Sequence, residues 1–106
     1  MSEMAGASDE TAANHSGPVV RVLPIINQKG LHARASAKFV QTVERFDADV
    51  RVTRGNETVG GTSIMGLMML AASPGTSITV AATGNQAADV VAALEQLLAS
   101  RFGEDE

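Results

Sequence analysis

The sequence predicts an α+β fold of the open-faced β-sandwich type, with a four-stranded, mostly antiparallel sheet covered on one face by three helices. Segments with strand-like and helix-like apolar periods follow one another in the order β-α-β-β-α-β-α. A Gly55-Asn56 pair links two of the strand-like segments as a hairpin turn would. The connections are short, which favours antiparallel neighbours and helices packed on a single face. The other face of the sheet would be open to water.

The length and composition indicate one small domain preceded by a tail. The chain has 106 residues, of which 44% are hydrophobic and 3% aromatic, so a mainly aliphatic core is expected. Residues 1–17 are rich in Ala, Ser, Gly and acidic residues and show no period, which predicts a disordered tail. His15 lies inside that tail and is expected to be incidental. The folded domain is predicted to span residues 18–106.

Charge and residue usage exclude several classes of function. Eight basic and twelve acidic residues give a formal net charge of −4, which argues against nucleic acid as the main partner. The chain has no cysteine, which excludes disulfides and thiolate metal sites. No apolar run approaches the roughly twenty residues of a membrane span, and the N-terminus has no signal-peptide pattern. We therefore expect a cytoplasmic protein that binds neither nucleic acid nor membranes.

The first strand and the first helix are predicted on either side of a glycine turn. Residues 19–26 form a β-branched run, and Pro24 places this strand at a sheet edge because proline cannot donate a ladder hydrogen bond. After Gly30, apolar residues recur at helical spacing and predict a helix over residues 33–45. The recurring positions are Ala33, Ala37, Val40 and Val43.

The middle of the chain is predicted to form a hairpin followed by a short helix. Residues 48–53 alternate between apolar and polar side chains, and residues 57–60 are predicted to form the short returning strand. Thr62 or Ser63 then offers an N-cap for a short apolar helix over residues 62–70.

A fourth strand and a long helix complete the predicted domain. Residues 77–82 alternate as a half-buried strand does, and Asn85 is a favourable N-cap for a helix over residues 86–101. Residues 103–106, "GEDE", are expected to be a solvated acidic end. The helix is predicted to present to the core Ala87, Val91, Leu94 and Leu98, with Val90 and Leu97 beside them.

The stretch "NQKGLHARASAKFV", residues 27–40, places His32 where the first helix is predicted to begin. The first backbone N–H groups of a helix have no internal acceptor and carry partial positive charge, so they favour a bound phosphate. A phosphoryl group on an imidazole nitrogen of His32 would face the amides of residues 33–35. Arg34 would add a planar, permanently charged donor. Gly30 allows a sharp turn and would leave space for the surface of a partner.

A capping or packing role for His32 is the alternative, and spacing alone favours it because short motifs often match by chance. Arg34 by itself is typical of a solvated surface charge. A hydrolase that uses His32 with Ser36 or Ser63 is disfavoured, because no carboxylate is evidently placed to orient the histidine.

Two motifs, "NQKGLHARASAKFV" and "GGTSIMGLMML", resemble those of HPr, the histidine phosphocarrier family of the phosphoenolpyruvate-dependent phosphotransferase system. The resemblance covers about residues 19–100, and the element order predicted above is that of the family. It implies a phosphoryl carrier and not an enzyme. The carrier is expected to need no cofactor or metal and to be a monomer. The "GLHARAS" variant and the acidic end are more similar to the nitrogen-related regulatory branch than to the sugar-transport carriers.

The resemblance also implies a role for each residue of the first motif. His32 would accept a phosphoryl group on Nδ1 from enzyme I and donate it to a IIA protein. Arg34 would stabilise that group, with backbone amides from Ala33, Arg34 and Ala35 around it. The chain departs from the family at Ala35, where a proline is usual. The additional N–H of Ala35 should leave the site competent and make the phosphohistidine slightly more stable.

The second motif implies regulation and docking. Ser63 is an N-cap by composition, and it matches a serine that an HPr kinase/phosphorylase modifies in many relatives; a phosphate at a helix N-terminus is stabilised there. Ile64, Met65 and Met68 match the family's exposed docking patch, whereas Leu67 and Leu70 are expected in the core. The competing hypothesis is a regulatory module that is not phosphorylated and binds a protein partner through the same patch.

Overall fold

The computed structural model describes residues 17–104. The predicted tail, apart from Gly17, and His15 lie outside the described residues, as do the last two residues of the acidic end, and the predictions made for them stay predictions. The predicted element order is confirmed. The elements are β1 (Val19–Pro24), α1 (Ala33–Glu44), β2 (Asp49–Arg54), β3 (Glu57–Gly60), α2 (Ile64–Met69), β4 (Ser77–Thr83) and α3 (Ala87–Ala99), followed by a 3₁₀ turn (Arg101–Gly103).

The four strands form one fully antiparallel sheet in the order β1-β4-β2-β3. Strand β1 lies at an edge, as Pro24 predicts, and pairs with β4 from Val19 opposite Ala82 to Pro24 opposite Ser77. Strands β2 and β3 form the hairpin around Gly55-Asn56. The late strand β4 therefore lies between β1 and β2, the first two strands of the chain.

Three helices cover one face of the sheet and bury an aliphatic core, which confirms the open-faced β-sandwich. Helix α1 packs against α2 and α3, and α3 packs against β1 and β4. The alternation predicted for β4 is observed, since Ile78, Val80 and Ala82 are buried. On the opposite face Val20 and Val22 are exposed. No helix in residues 17–104 is long and apolar enough to span a bilayer.

Helix α1 is rotated relative to the prediction. The predicted position Ala33 is exposed and Ala37 is half-buried, although Val40 and Val43 are buried. The reason is Phe39, which is fully buried and is the largest side chain of the helix. Burying that ring turns the positions three and four residues before it toward the core as well. The buried positions are Ala35, Ser36, Phe39, Val40, Thr42 and Val43.

Helix α3 begins one residue later than predicted. Its N-cap residue is Gln86, whereas the predicted cap, Asn85, uses its side-chain Nδ2 to donate to Asp47 Oδ2 at 2.9 Å. Gln86 Oε1 accepts from the backbone N–H of Asp47 at 2.7 Å. The predicted apolar face of α3 is confirmed, with Ala87, Val90, Val91, Leu94 and Leu98 buried.

Candidate functional site

His32 is the N-cap residue of α1. Its backbone is extended, and its carbonyl accepts the first intrahelical hydrogen bond from Ser36 N–H at 2.9 Å. The imidazole makes no capping hydrogen bond, and its side chain keeps 28% of its surface exposed. His32 therefore occupies a capping position without capping through its side chain, and its ring remains accessible.

The backbone amides expected at the site lie together at the start of α1. Ala33, Arg34 and Ala35 precede Ser36, the first residue whose N–H reaches an intrahelical acceptor, so they form the positive end of the helix dipole. The side chain of Arg34 is exposed and forms no ion pair within residues 17–104. Ala35 turns its methyl group into the core and is fully buried.

The carboxylate of Glu104 lies against the histidine, and this residue was missed by the sequence analysis. Glu104 Oε2 is 2.5 Å from His32 Nε2, and its side chain is only 14% exposed. The acidic end is therefore not simply solvated, and the expectation that no carboxylate orients His32 was wrong. Phe102 was the signal in the sequence that could have indicated this contact, because an aromatic residue just after a helix end can anchor the following chain to the core.

Asn27 connects the loop before α1 to Glu104, and it too was missed. Its side chain is fully buried, and its Nδ2 donates to Gly30 O at 2.8 Å and to Glu104 Oε1 at 3.1 Å. The backbone N–H of Gly30 returns a hydrogen bond to Asn27 O at 3.2 Å. Asparagine commonly bonds to backbone groups of its own turn. The turn and the carboxylate are thus held by one amide.

Gly30 is needed for contact within the chain itself. Its φ is +65°, and a Cβ atom placed there would lie 2.4 Å from Ala72 O. The next residue, Leu31, donates its backbone N–H to the same carbonyl at 3.0 Å. The space that the absent side chain leaves is filled by the segment after α2, so the expected room for a partner is not there.

The two serines proposed for a hydrolase do not bond to His32. Ser36 is fully buried, and its hydroxyl donates to Leu31 O at 3.2 Å. Ser63 Oγ accepts from Gly66 N–H at 2.9 Å as the N-cap of α2. Both hydroxyls bond to backbone groups, so neither serine is placed for His32 to activate it as a nucleophile. The hydrolase alternative stays disfavoured, now for this reason.

Helix α2 divides its apolar residues as expected. Leu67 and Leu70 are buried, whereas the predicted docking residues Ile64, Met65 and Met68 are exposed. Met69, which the sequence analysis did not assign, is also exposed; it lies four residues after Met65 and on the same side of the helix. Ser63 is exposed at the start of this helix.

Comparison with known proteins gives a family for the chain. The family model described as "PTS HPr component phosphorylation site" matches residues 19–100. The phosphocarrier protein HPr of Neisseria meningitidis is 50% identical over 84 residues, which cover 79% of this chain and 94% of the relative. The phosphocarrier protein HPr of Pseudomonas aeruginosa is 47% identical over 85 residues, which cover 79% of this chain and 94% of the relative.

Solved structures of HPr proteins share the fold of this chain. The crystal structure of HPr-C-His from Thermoanaerobacter tengcongensis superposes with a TM-score of 0.79 at 38% identity, covering 83% of this chain and 99% of that one. The crystal structure of HPr from Bacillus anthracis gives a TM-score of 0.74 at 35% identity, covering 78% of this chain and 99% of that one. The matched region contains both motifs, His32 at the start of α1 and the open-faced sheet. The chain belongs to the HPr phosphocarrier family of the phosphotransferase system.

Proposed function

We propose that the protein carries phosphoryl groups on His32, accepting them from enzyme I and passing them to a IIA protein. The observation that carries this proposal is the setting of the imidazole: it lies at the amide end of α1, partly exposed, with Glu104 against its Nε2. The ring nitrogen left open is Nδ1. A phosphoryl group there would have helix amides and Arg34 within the first turn.

The transfer is a direct exchange between two imidazoles. The Nδ1 lone pair of His32 forms a new N–P bond while the N–P bond to the donor histidine breaks, and the donor nitrogen keeps the bonding electrons. The amides of Ala33, Arg34 and Ala35, together with the guanidinium of Arg34, would hold the negative charge of the phosphoryl oxygens. Transfer to the IIA protein repeats the exchange in reverse.

The exposed side of α2 is proposed as the docking surface for these partners. Ile64, Met65 and Met68 are apolar and accessible, and Met69 extends the patch beyond the expected residues. Methionine side chains are flexible and polarisable, which suits a surface that must fit several partners in turn. The protein is proposed to act as a monomer in the cytoplasm and in the nitrogen-related branch.

Ser63 is proposed as a regulatory phosphorylation site for an HPr kinase/phosphorylase. Its hydroxyl is exposed beside the apolar patch and already accepts a backbone N–H of α2. A phosphate there would be stabilised by the helix N-terminus and would add negative charge to the docking surface. Weaker docking to an acidic partner should follow.

The test is phosphotransfer from phosphoenolpyruvate through purified enzyme I, using one nitrogen-branch and one sugar-branch enzyme I in parallel. We expect acid-labile phosphate on the wild-type protein, none on His32→Ala, and faster transfer from the nitrogen-branch enzyme. Absence of acid-labile phosphate with both enzymes would favour the binding module that is not phosphorylated. Adding an HPr kinase and ATP should place acid-stable phosphate on the wild type but not on Ser63→Ala.

A further inference from the structure

We propose that Glu104 is a positioning residue that selects Nδ1 of His32 as the phosphoryl acceptor, and that the C-terminal turn holds it in place. The proposal rests on the phosphocarrier function and adds the group that prepares the histidine for it. Glu104 lies 72 residues from His32 in sequence and is the last residue that the structure describes.

The chemistry of the contact determines which ring nitrogen carries the proton. An ionised carboxylate can only accept hydrogen bonds, so at 2.5 Å from Glu104 Oε2 the Nε2 atom of His32 must donate. A neutral imidazole has one N–H, which leaves the lone pair on Nδ1. Within residues 17–104 no other group bonds to the imidazole. Nδ1 is therefore the available nucleophile.

The carboxylate is itself held on its second oxygen. Glu104 Oε1 accepts from Asn27 Nδ2 at 3.1 Å, and the same Nδ2 donates to Gly30 O at 2.8 Å. Asn27 is fully buried and cannot easily turn away. The carboxylate is thus fixed to the loop that leads into His32, so ring and carboxylate are positioned by a common segment.

The backbone before Glu104 is anchored as well. Phe102 is 1% exposed and belongs to the core cluster, although Arg101 and Phe102 both have a φ of +57°. Two consecutive non-glycine residues in the left-handed region are costly and persist only where packing compensates them. Lys38 Nζ, from α1, donates to Phe102 O at 2.6 Å. Helix α1 and the core together hold the turn that presents Glu104.

The same contact fits the product of the transfer. When Nδ1 forms the N–P bond and Nε2 keeps its proton, the ring becomes a positively charged imidazolium. No proton has to leave or arrive, because the donor histidine returns to its neutral form in the same step. The Glu104 carboxylate then faces a full positive charge, and a charge-assisted hydrogen bond is stronger than a neutral one.

The test uses Glu104→Gln, because glutamine keeps the size of the side chain but can also donate to Nε2. Ring ¹⁵N chemical shifts of His32 in the unphosphorylated protein report which nitrogen carries the proton. We expect the wild type to hold the proton on Nε2 and the variant to give a mixture. The rate of phosphorylation by enzyme I should fall roughly three- to tenfold, as the replacement of a charge-assisted hydrogen bond by a neutral one implies.

Glu95→Gln is the matched control, because Glu95 is a half-exposed carboxylate of α3 whose ion-pair partner is Arg21, at 3.9 Å. It should change neither the ring shifts nor the rate. An unchanged tautomer, or an unchanged rate despite an altered tautomer, in Glu104→Gln would overturn the proposal. If the wild type itself takes no phosphate from enzyme I, the phosphocarrier function fails and the role in transfer with it; the ring shifts still show whether Glu104 sets the tautomer.

Discussion

The two nitrogens of the His32 ring lie in different surroundings. Nε2 bonds to the largely buried carboxylate of Glu104, whereas Nδ1 has no hydrogen-bond partner among residues 17–104. The ring lies at the N-terminus of α1, beside the free amides of its first turn. A histidine with only a packing role would not need a ring that stays partly exposed at a helix terminus and bonds to a carboxylate distant in sequence. At the scale of the residue, the asymmetry between the two nitrogens is what supports a chemical role.

Ala35 provides a prediction at this scale. Its backbone N–H is one of three in the first turn without an intrahelical acceptor, and the proline usual in the family would remove it. We expect Ala35→Pro to hydrolyse its phosphohistidine roughly two- to tenfold faster, which corresponds to the loss of one hydrogen bond. Release of acid-labile phosphate over time measures the effect.

Ala35→Gly is the control for that experiment, because it alters the buried side chain at the same position but keeps the amide. Its phosphohistidine should hydrolyse at the wild-type rate. Melting temperatures of both variants show whether the start of the helix has been disturbed. Equal hydrolysis rates for the proline variant and the wild type would mean that the Ala35 amide does not contact the phosphoryl group.

At the scale of the element, α2 shows how one short helix can serve both the core and a partner. Leu67 and Leu70 close the core, whereas Met65 and Met69 point outward with about 70% of their surface exposed. Gly66 makes the close packing possible, since a Cβ atom there would lie 3.0 Å from Val59 Cβ. The helix can therefore lie near β3 and still display an apolar outer side.

Met68 provides the prediction for this element. We expect Met68→Glu to lower the second-order rate constant of phosphorylation by enzyme I roughly tenfold. The added carboxylate would lose its hydration when the partner docks, and removing water from a charge is costly unless the charge is paired, so docking becomes less favourable. Steady-state transfer assays with varied carrier concentration measure it. The melting temperature should change little, since Met68 keeps 38% of its surface exposed.

Val22→Glu is the matched control, an apolar-to-acidic change on the open face of the sheet, where Val22 is 65% exposed. It adds the same charge far from the proposed docking side of the molecule and should leave the transfer rate unaltered. If both variants slow transfer equally, the effect is general electrostatic repulsion and α2 is not a docking surface.

At the scale of the whole molecule, the site depends on segments that are distant in the chain. The loop before α1 is tied to the segment after α2 through Ala72 O, and to the C-terminal turn through Asn27 and Glu104. The core residue Phe102 and the α1 residue Lys38 fix that turn in place. Losing any of these contacts should affect both stability and the geometry at His32.

Gly30 tests this dependence. We expect Gly30→Ala to lower the free energy of unfolding by about 2–4 kcal/mol, from left-handed strain together with the clash against Ala72 O. Gly55→Ala is the control, because its φ is +62° but nothing lies within 4 Å of the added Cβ. Gly55→Ala should lower the free energy of unfolding by only about 1–2 kcal/mol, because it introduces the left-handed backbone strain without a steric clash. Urea denaturation measures both, and equal losses would show that the contact with Ala72 is not tight.

The residues close together in sequence determined much of this protein by themselves. The order of the elements, the place of His32 and Arg34 at a helix start, Ser63 as an N-cap and the edge position of β1 all follow from neighbours within a few residues. Capping, turn formation and proline chemistry act over that range, so their signals are visible in the chain. The family motifs are local in the same sense.

Only the tertiary structure decided the rest. The rotation of α1 depends on where the core receives Phe39, and the insertion of β4 beside β1 depends on long-range strand pairing. Glu104 reaches His32 because a buried aromatic ring and a lysine from another helix fix the chain end. A carboxylate near the end of the chain has no local pattern that marks its partner, since contacts between distant segments are set by packing of the whole core.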